Sequence, residues 1–184
     1  MVKDIAIPTG TQYQISHDSW QAIVTEQGAT LRSLQYEGAD VVKSFDADQL
    51  PASSQGQQLL PWPNRIRDGH YTFEGDEQQL AVSEVDRHNA IHGLVAWSRW
   101  SLVEHTDTSV TQTIRVMARP GWPGTIDVDL THRLSDTGLT VEVIVRNVGA
   151  TAVPFGYAAH PYFSLGGTID DWTVDAPFTS WLQV

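Results

Sequence analysis

From Ile126 to Val145 the chain alternates apolar and polar residues so regularly that few folds can accommodate it. Ile126, Val128, Leu130 and Leu134 interleave with Asp127, Asp129, Thr131 and Arg133. This period of two sets one face against a core and the other in water. The run breaks at Ser135-Asp136-Thr137-Gly138, a cluster of turn formers, and resumes at Leu139, Val141, Val143 and Val145. A helix would scatter these apolar residues around its circumference, so the two runs read as an antiparallel hairpin. Val110, Ile114 and Val116 predict a strand before it. Trp100 and Leu102 predict another, turned through Thr106-Asp107-Thr108-Ser109. Nearer the front, Tyr71 and Phe73 are expected to pair with Leu80 and Val82 across Glu74-Gly75-Asp76-Glu77. Asp46 to Gln58, rich in Ser, Gln and Asp, reads as a loop. No window carries a helical stripe. The fold class is all-β, a sandwich or barrel of long antiparallel hairpins.

Composition narrows what such a fold can do. With 184 residues, 41% of them hydrophobic, the chain can bury one sizeable core, so residues 1–184 are expected to form a single β-sandwich domain. Twenty-two acidic against 11 basic residues give a formal charge of −11. No compact basic patch offsets this, which argues against nucleic acid and anionic membrane surfaces as partners. The absence of cysteine excludes disulfides, thiolate catalysis and sulfur-ligated metal. The start, MVKDIAIPTG, lacks the apolar run of a signal peptide, and no stretch nears the ~20 apolar residues of a membrane span. A soluble, cytoplasmic protein is expected.

One stretch is out of keeping with a solvated turn. In LLPWPNRIRDGHYTF, Leu59 to Phe73, two prolines bracket a tryptophan and two arginines follow. Pro61 and Pro63 hold the backbone extended and remove two N–H donors, so Trp62, Arg65 and Arg67 ride on a stiffened, non-helical segment. Two further unpatterned stretches, Ser83 to Trp97 and Phe155 to Gly167, concentrate His, Asn, Tyr and Gly, as a site on loops above a rigid sheet requires. Gly93, after His92, lets another backbone or a ligand approach closely. His160, before Pro161, is carried on an extended backbone. Imidazole is the side chain best suited to exchange a proton near neutrality.

Structural roles account for many of these residues taken singly. His17, His105 and His132 read as structural, His132 simply facing inward from its strand, and His70 and His88 fit turn edges. Trp97 and Trp100 read as core, and Tyr162, Phe163 and Leu165 also fit one. Arg67 can pair with Asp68 or Asp86. Among the seven histidines no pair has metal-ligand spacing with a convincing third ligand; His88 and His92 lie four apart in a segment that does not read as helical.

Taken in order, PNRIRDGHYTFEG, NAIHG and AAHPYFSLGG resemble the aldose 1-epimerase (mutarotase) family. There an Asn-Arg-Ile followed by a glycine, an Asn-x-x-His-Gly and a His-x-Tyr-Phe-x-Leu follow one another in this order. The match runs from Leu59 to Gly167. The resemblance implies a large antiparallel β-sandwich, a galactose mutarotase-like supersandwich, that binds a monosaccharide hexose in an open groove. It implies substrate contacts from Asn64, Arg65, His92 and Tyr162, with catalysis by His160 and His92. His160 would be the acid that protonates the ring oxygen, while His92 and Arg65 steady the charge developing there. Interconverting α and β anomers by ring opening needs an acid and a base but no cofactor or metal. Leu94 stands where galactose-specific members carry a second glycine, so galactose is not implied as the sugar; plain monosaccharides and phosphorylated or sulfonated sugars are separate open readings. The resemblance places a glutamate base and a substrate-gripping aspartate beyond Val184. The chain is therefore expected to be the front portion of a longer protein, its sandwich incomplete at the C-terminus. Its ending, DAPFTSWLQV, an apolar strand pattern without a polar tail, points the same way. Two readings from other classes fit the same residues: a non-catalytic carbohydrate-binding β-sandwich, and an interaction or structural domain with incidental histidines.

Overall fold

The computed structural model describes residues 6–180 and is all-β. Its first sheet is a meander of β1 (Gln12–His17), β2 (Trp20–Thr25), β3 (Leu31–Tyr36) and β4 (Ala39–Val42), antiparallel throughout. Short elements follow: β5 (Gln58–Leu59), β6 (Arg65–Arg67), β7 (His70–Phe73), β8 (Asp76–Gln79) and β9 (Asn89–Ile91). A second four-stranded antiparallel sheet comprises β10 (Ser101–His105), β11 (Ser109–Val116), β12 (Ile126–Ser135) and β13 (Gly138–Asn147). The two-residue β14 (Ala158–Ala159) pairs back onto β5. Among the described residues no helix is long and apolar enough to cross a membrane.

The alternation of the central hairpin is realised residue for residue. Ile126, Val128, Leu130, His132 and Leu134 are buried, and β12 pairs with β13 from Ile126↔Asn147 to Ser135↔Gly138. The two sheets pack face to face. Tyr13, Ile15, Ala22, Val24, Leu31, Leu34 and Val42 of the first enclose one core with Val110 and Leu134 of the second. A second core gathers Leu60, Val95, Trp100, Val116, Trp122, Ile126, Val128 and Leu130. Each Val, Leu or Ile so buried contributes about 1.5–3 kcal/mol of transfer free energy. This second core anchors the stiffened segment. Trp62 packs against it, with its ring 6.4 Å from that of Trp122, so the tryptophan anchors the loop while Arg65 and Arg67 remain exposed.

Several expectations need correction. The β7–β8 hairpin turns on two residues, Glu74 and Gly75, with φ of 52° and 90°, and pairs Tyr71 with Gln78 and Phe73 with Asp76. Two positive φ values in a two-residue turn match the right-handed strand twist, and this geometry overrode the apolar pairing to Leu80 and Val82. Trp97 is 56% exposed, and Phe163 and Leu165 are 63% and 73% exposed, so none of the three is core. Arg67 forms no ion pair with Asp68 or Asp86; Asp68 lies in the turn after β6 and Asp86 in the short 3-10 helix Val85–Arg87. The whole β1–β4 meander has no counterpart in the sequence-based expectations. Asp46–Gln58 is a loop as expected apart from a 3-10 turn at Ala52–Ser54 and Gln58, which opens β5, but its second half is not solvated: Gln55, Gln57 and Gln58 are buried. Gln57 donates to the Ala96 carbonyl at 3.1 Å, Gln55 to that of Lys43, and Gln58 accepts from Tyr157 Oη at 2.7 Å. The amides supply the partners that a buried loop backbone lacks. Of the apolar ending, Asp175–Ser180 carries no strand, and Trp181–Val184 lie outside the described residues, as do Met1–Ile5 at the start.

Candidate functional site

The three irregular stretches meet in space. β6 pairs with β9 in the register Arg65↔Ile91 and Arg67↔Asn89, which sets the arginine segment beside the His92 loop. Gly93 closes that junction: its φ is +76°, and a Cβ there would meet the Leu60 carbonyl oxygen at 2.0 Å. Leu94 N–H donates to the same carbonyl at 2.8 Å. The close approach expected from His92-Gly93 is thus made by the backbone just before Pro61. The third stretch is fixed by backbone pairing as well. His160 N–H donates to Gln57 O at 3.0 Å, and Gly56 N–H donates to His160 O at 2.8 Å. Tyr162 Oη donates to Ser53 O at 3.0 Å.

The result is an open groove of about 550 Å³, lined among others by Asn64, Arg65, Glu84, His92, His160 and Tyr162. The imidazoles of His92 and His160 lie edge to face at 5.5 Å, and Tyr162 stacks edgewise on His160 at 5.4 Å. Every site residue singled out in the sequence lies on this groove. Four lining residues take left-handed backbone: Ser53, Ser54, Asn64 and His92, with φ of 49°, 63°, 57° and 61°. Such conformations cost a non-glycine residue free energy and persist where the surroundings over-determine them, which is common at binding sites.

Hydrogen bonding fixes the state of two groups. Asn64 N–H donates to His92 Nδ1 at 3.1 Å, so Nδ1 is unprotonated and the ring proton sits on Nε2. Burial, then the neighbouring His160 and Arg65, pushes the His92 pKa down and keeps the ring neutral. Arg65 is clamped by Glu84, Nε to Oε2 at 2.7 Å and Nη2 to Oε1 at 2.8 Å, while Nη1 donates to Asn64 Oδ1 at 3.2 Å. Three of its five N–H groups are thereby used, and two remain for a ligand. Asn89 Nδ2 donates to Glu84 Oε2 at 2.8 Å. The Arg65 guanidinium and this amide together pull the Glu84 carboxyl down to about 2. A carboxylate so held orients arginine and is too weak a base to take a proton from a sugar hydroxyl. Sequence reasoning missed Glu84 as part of the site. The available signal was an acid eight residues before His92, one of a Glu84-x-Asp86 pair in a segment already marked out by its His and Asn.

Elsewhere, His17, Asp18 and Asp136 gather at the hairpin tips with potential ligand atoms within 4.8 Å of one another. His17 Nε2 is 2.6 Å from Asp136 Oδ1, and that hydrogen bond raises the His17 pKa, so the group is accounted for as an ion pair.

Residues 11–182 match the aldose 1-epimerase family profile. The chain is 34% identical over 171 residues to YihR of Escherichia coli K12, covering 92% of this chain and 56% of that one. It is 25% identical over 180 residues to the galactose mutarotase of Bos taurus, covering 89% and 51%. A solved putative aldose 1-epimerase from Escherichia coli K12 superposes with a TM-score of 0.73 at 28% identity, over 85% of this chain and 53% of that one. A GalM/aldose epimerase homologue from C. elegans shares the fold at a TM-score of 0.73 and 23% identity, over 86% and 52%. The chain spans about half the length of the curated relatives it matches. It belongs to the aldose 1-epimerase family.

Proposed function

We propose that the groove binds a hexose and that His160 and His92 serve anomer interconversion there. The observation that carries this is the pair of imidazoles 5.5 Å apart on the wall shared with Arg65 and Tyr162. Ring opening requires a proton delivered to the ring oxygen as the anomeric hydroxyl loses one. His160 is the acid. His92, with its proton on Nε2, donates a hydrogen bond toward the oxygen, and the two free N–H groups of Arg65 spread the charge developing there. Asn64 and Tyr162 shape the wall, and no step calls for a cofactor or metal. Glu84, the one carboxylate lining the groove among the described residues, is committed to Arg65. The described groove therefore offers no free carboxylate as the base, which the family resemblance places in a glutamate beyond Val184. A cytoplasmic location belongs to the same proposal.

The groove's lack of a free carboxylate among the described residues favours a second reading for the 184-residue chain taken alone, namely sugar binding without efficient turnover. Time-resolved polarimetry on freshly dissolved α-glucose and α-galactose separates the two readings. A protein containing this groove and its base should accelerate mutarotation. His160→Asn should lower that rate by on the order of 10²–10⁴, the usual worth of a general acid, with little change in melting temperature. Near-parental turnover in the variant would remove His160 from the acid role.

A further inference from the structure

The wall of the groove away from Arg65 contains an uncommon pair. Ser53 and Ser54 both line it, Ser53 exposed and Ser54 half-buried. They take left-handed backbone in consecutive positions, with φ of 49° and 63°. Glycine adopts that conformation without penalty, whereas a residue with a Cβ does not. A turn needed only for its shape would be better served by glycine, so the serine side chains call for a reason of their own.

The surrounding structure occupies the backbone of this turn and leaves its hydroxyls. Tyr162 Oη donates to Ser53 O at 3.0 Å, Gln57 N–H to Ser54 O at 3.0 Å, and Gln55 N–H closes the turn on Ala52 O at 3.0 Å. Next along the chain, Gly56 N–H donates to His160 O at 2.8 Å, which ties the turn to the segment carrying His160. Among the described residues neither serine Oγ has a hydrogen-bond partner.

Contacts set the order of the site. Asn64 Oδ1 accepts from Arg65, and Asn64 N–H reaches His92 Nδ1. His92 faces His160, His160 faces Tyr162, and Tyr162 reaches Ser53. Arg65 and the serines are thus the two ends of one file, with the imidazoles between them. A sugar hydroxyl both donates and accepts. Arg65 only donates, the Glu84 carboxylate is held by Arg65 and Asn89, and His92 Nδ1 is taken. A serine hydroxyl donates and accepts, and so meets a sugar hydroxyl in either role. Resting on the hexose reading of the groove, we propose that Ser53 and Ser54 determine specificity by hydrogen-bonding the pyranose edge opposite the ring oxygen, the hydroxyls on C2 to C4. With Arg65 and His92 directed at the ring oxygen, that edge is the one turned to the far end of the file. The ligand class is then a pyranose with free hydroxyls on that edge.

NMR titration of the full chain with glucose and its 2-, 3- and 4-deoxy analogues tests this. Glucose should move the Ser53 and Ser54 amide signals. At least one analogue should bind about 5–10-fold more weakly than glucose, because a serine then faces an absent partner. Ser53→Ala with Ser54→Ala should weaken glucose by the same factor, leave that analogue's affinity as it was, and so erase the difference. Ser53→Gly with Ser54→Gly deletes the same hydroxyls but suits the left-handed backbone, so it should behave alike and keeps the test if the alanine pair fails to fold. Glucose bound with no analogue penalised, or a penalty that survives in the hydroxyl-free pairs, overturns the proposal and leaves the hexose groove standing. No binding of glucose by the parent chain would instead retire the hexose groove and this proposal with it.

Discussion

His92 is held by its surroundings in one tautomer and one charge state, and both can be measured. Its Nδ1 accepts the Asn64 N–H, and burial depresses its pKa below the ordinary histidine value. Unfolded, it would take a proton near pH ~6.5; folded, it does so at lower pH. Between those values the unfolded chain holds the extra proton. The stability due to neutral His92 is therefore complete above pH ~6.5 and is lost as pH falls toward the folded pKa. An NMR titration of the ring should give a midpoint below ~6.5 and an Nε2–H tautomer above it; a midpoint at or above 6.5 contradicts the assignment. Glu84 behaves the same way in a lower window. Its contribution is complete above the unfolded carboxyl value and is lost as pH falls toward about 2. Glu84→Gln should loosen Arg65 and weaken sugar binding roughly five- to tenfold, since an arginine that must be ordered on binding spends affinity on that ordering. Unchanged affinity would show that the clamp does not orient Arg65. The motif residues Asn64, Arg65, His92, His160 and Tyr162 were legible because their types and order are unusual. Glu84 was not, because a glutamate with Asp86 and Arg87 beside it reveals nothing of its partner Arg65 until β6 and β9 pair.

Elements were legible where one face is apolar and long, as in β12 and β13. They were illegible where alternation is diluted. β1–β4 bury Thr25, Ala22 and Ala29 nearby while Gln and Ser fill other positions, so the period of two is weak even though the sheet is regular. The same limit hid the buried glutamines of the Gln55–Gln58 segment, whose role is to bond backbone in a tightly packed loop. Two element-level predictions follow from packing. Gly93→Ala puts a methyl group into the Leu60 carbonyl at a left-handed position, and should cost about 2–4 kcal/mol in denaturant melts. Gly75→Asn, in open space at a turn that suits asparagine, should cost little, and equal losses at the two sites would refute the close-approach argument. On β12, His132 is fully buried with neither ring nitrogen bonded, and burial lowers its pKa to about 4. The neutral ring therefore destabilises the fold as pH drops from ~6.5 toward about 4, by about 2 kcal/mol near pH 5. His132→Leu should flatten that acid limb; parallel pH profiles for parent and variant would show that another group governs it.

At the scale of the molecule, the stretch after β13 leaves large apolar side chains in water: Phe163, Leu165, Ile169, Val174 and Phe178 are 63–86% exposed. A surface of this kind invites association, so the 184-residue chain should self-associate with rising concentration in sedimentation experiments and bind an apolar dye. A dye-silent monomer would show that these side chains are covered in solution. The all-β class was readable from one hairpin, because sheets impose their period locally. The groove was readable only through motif order, because its walls come from three segments that long-range pairing alone brings together. That convergence is the central claim, and ring spectra of the seven histidines test it most directly. On titration with glucose, the His92 and His160 resonances should move together with one dissociation constant while those of His17, His105 and buried His132 stay still. Shifts confined to the latter three, or separate constants for His92 and His160, would contradict a single sugar groove.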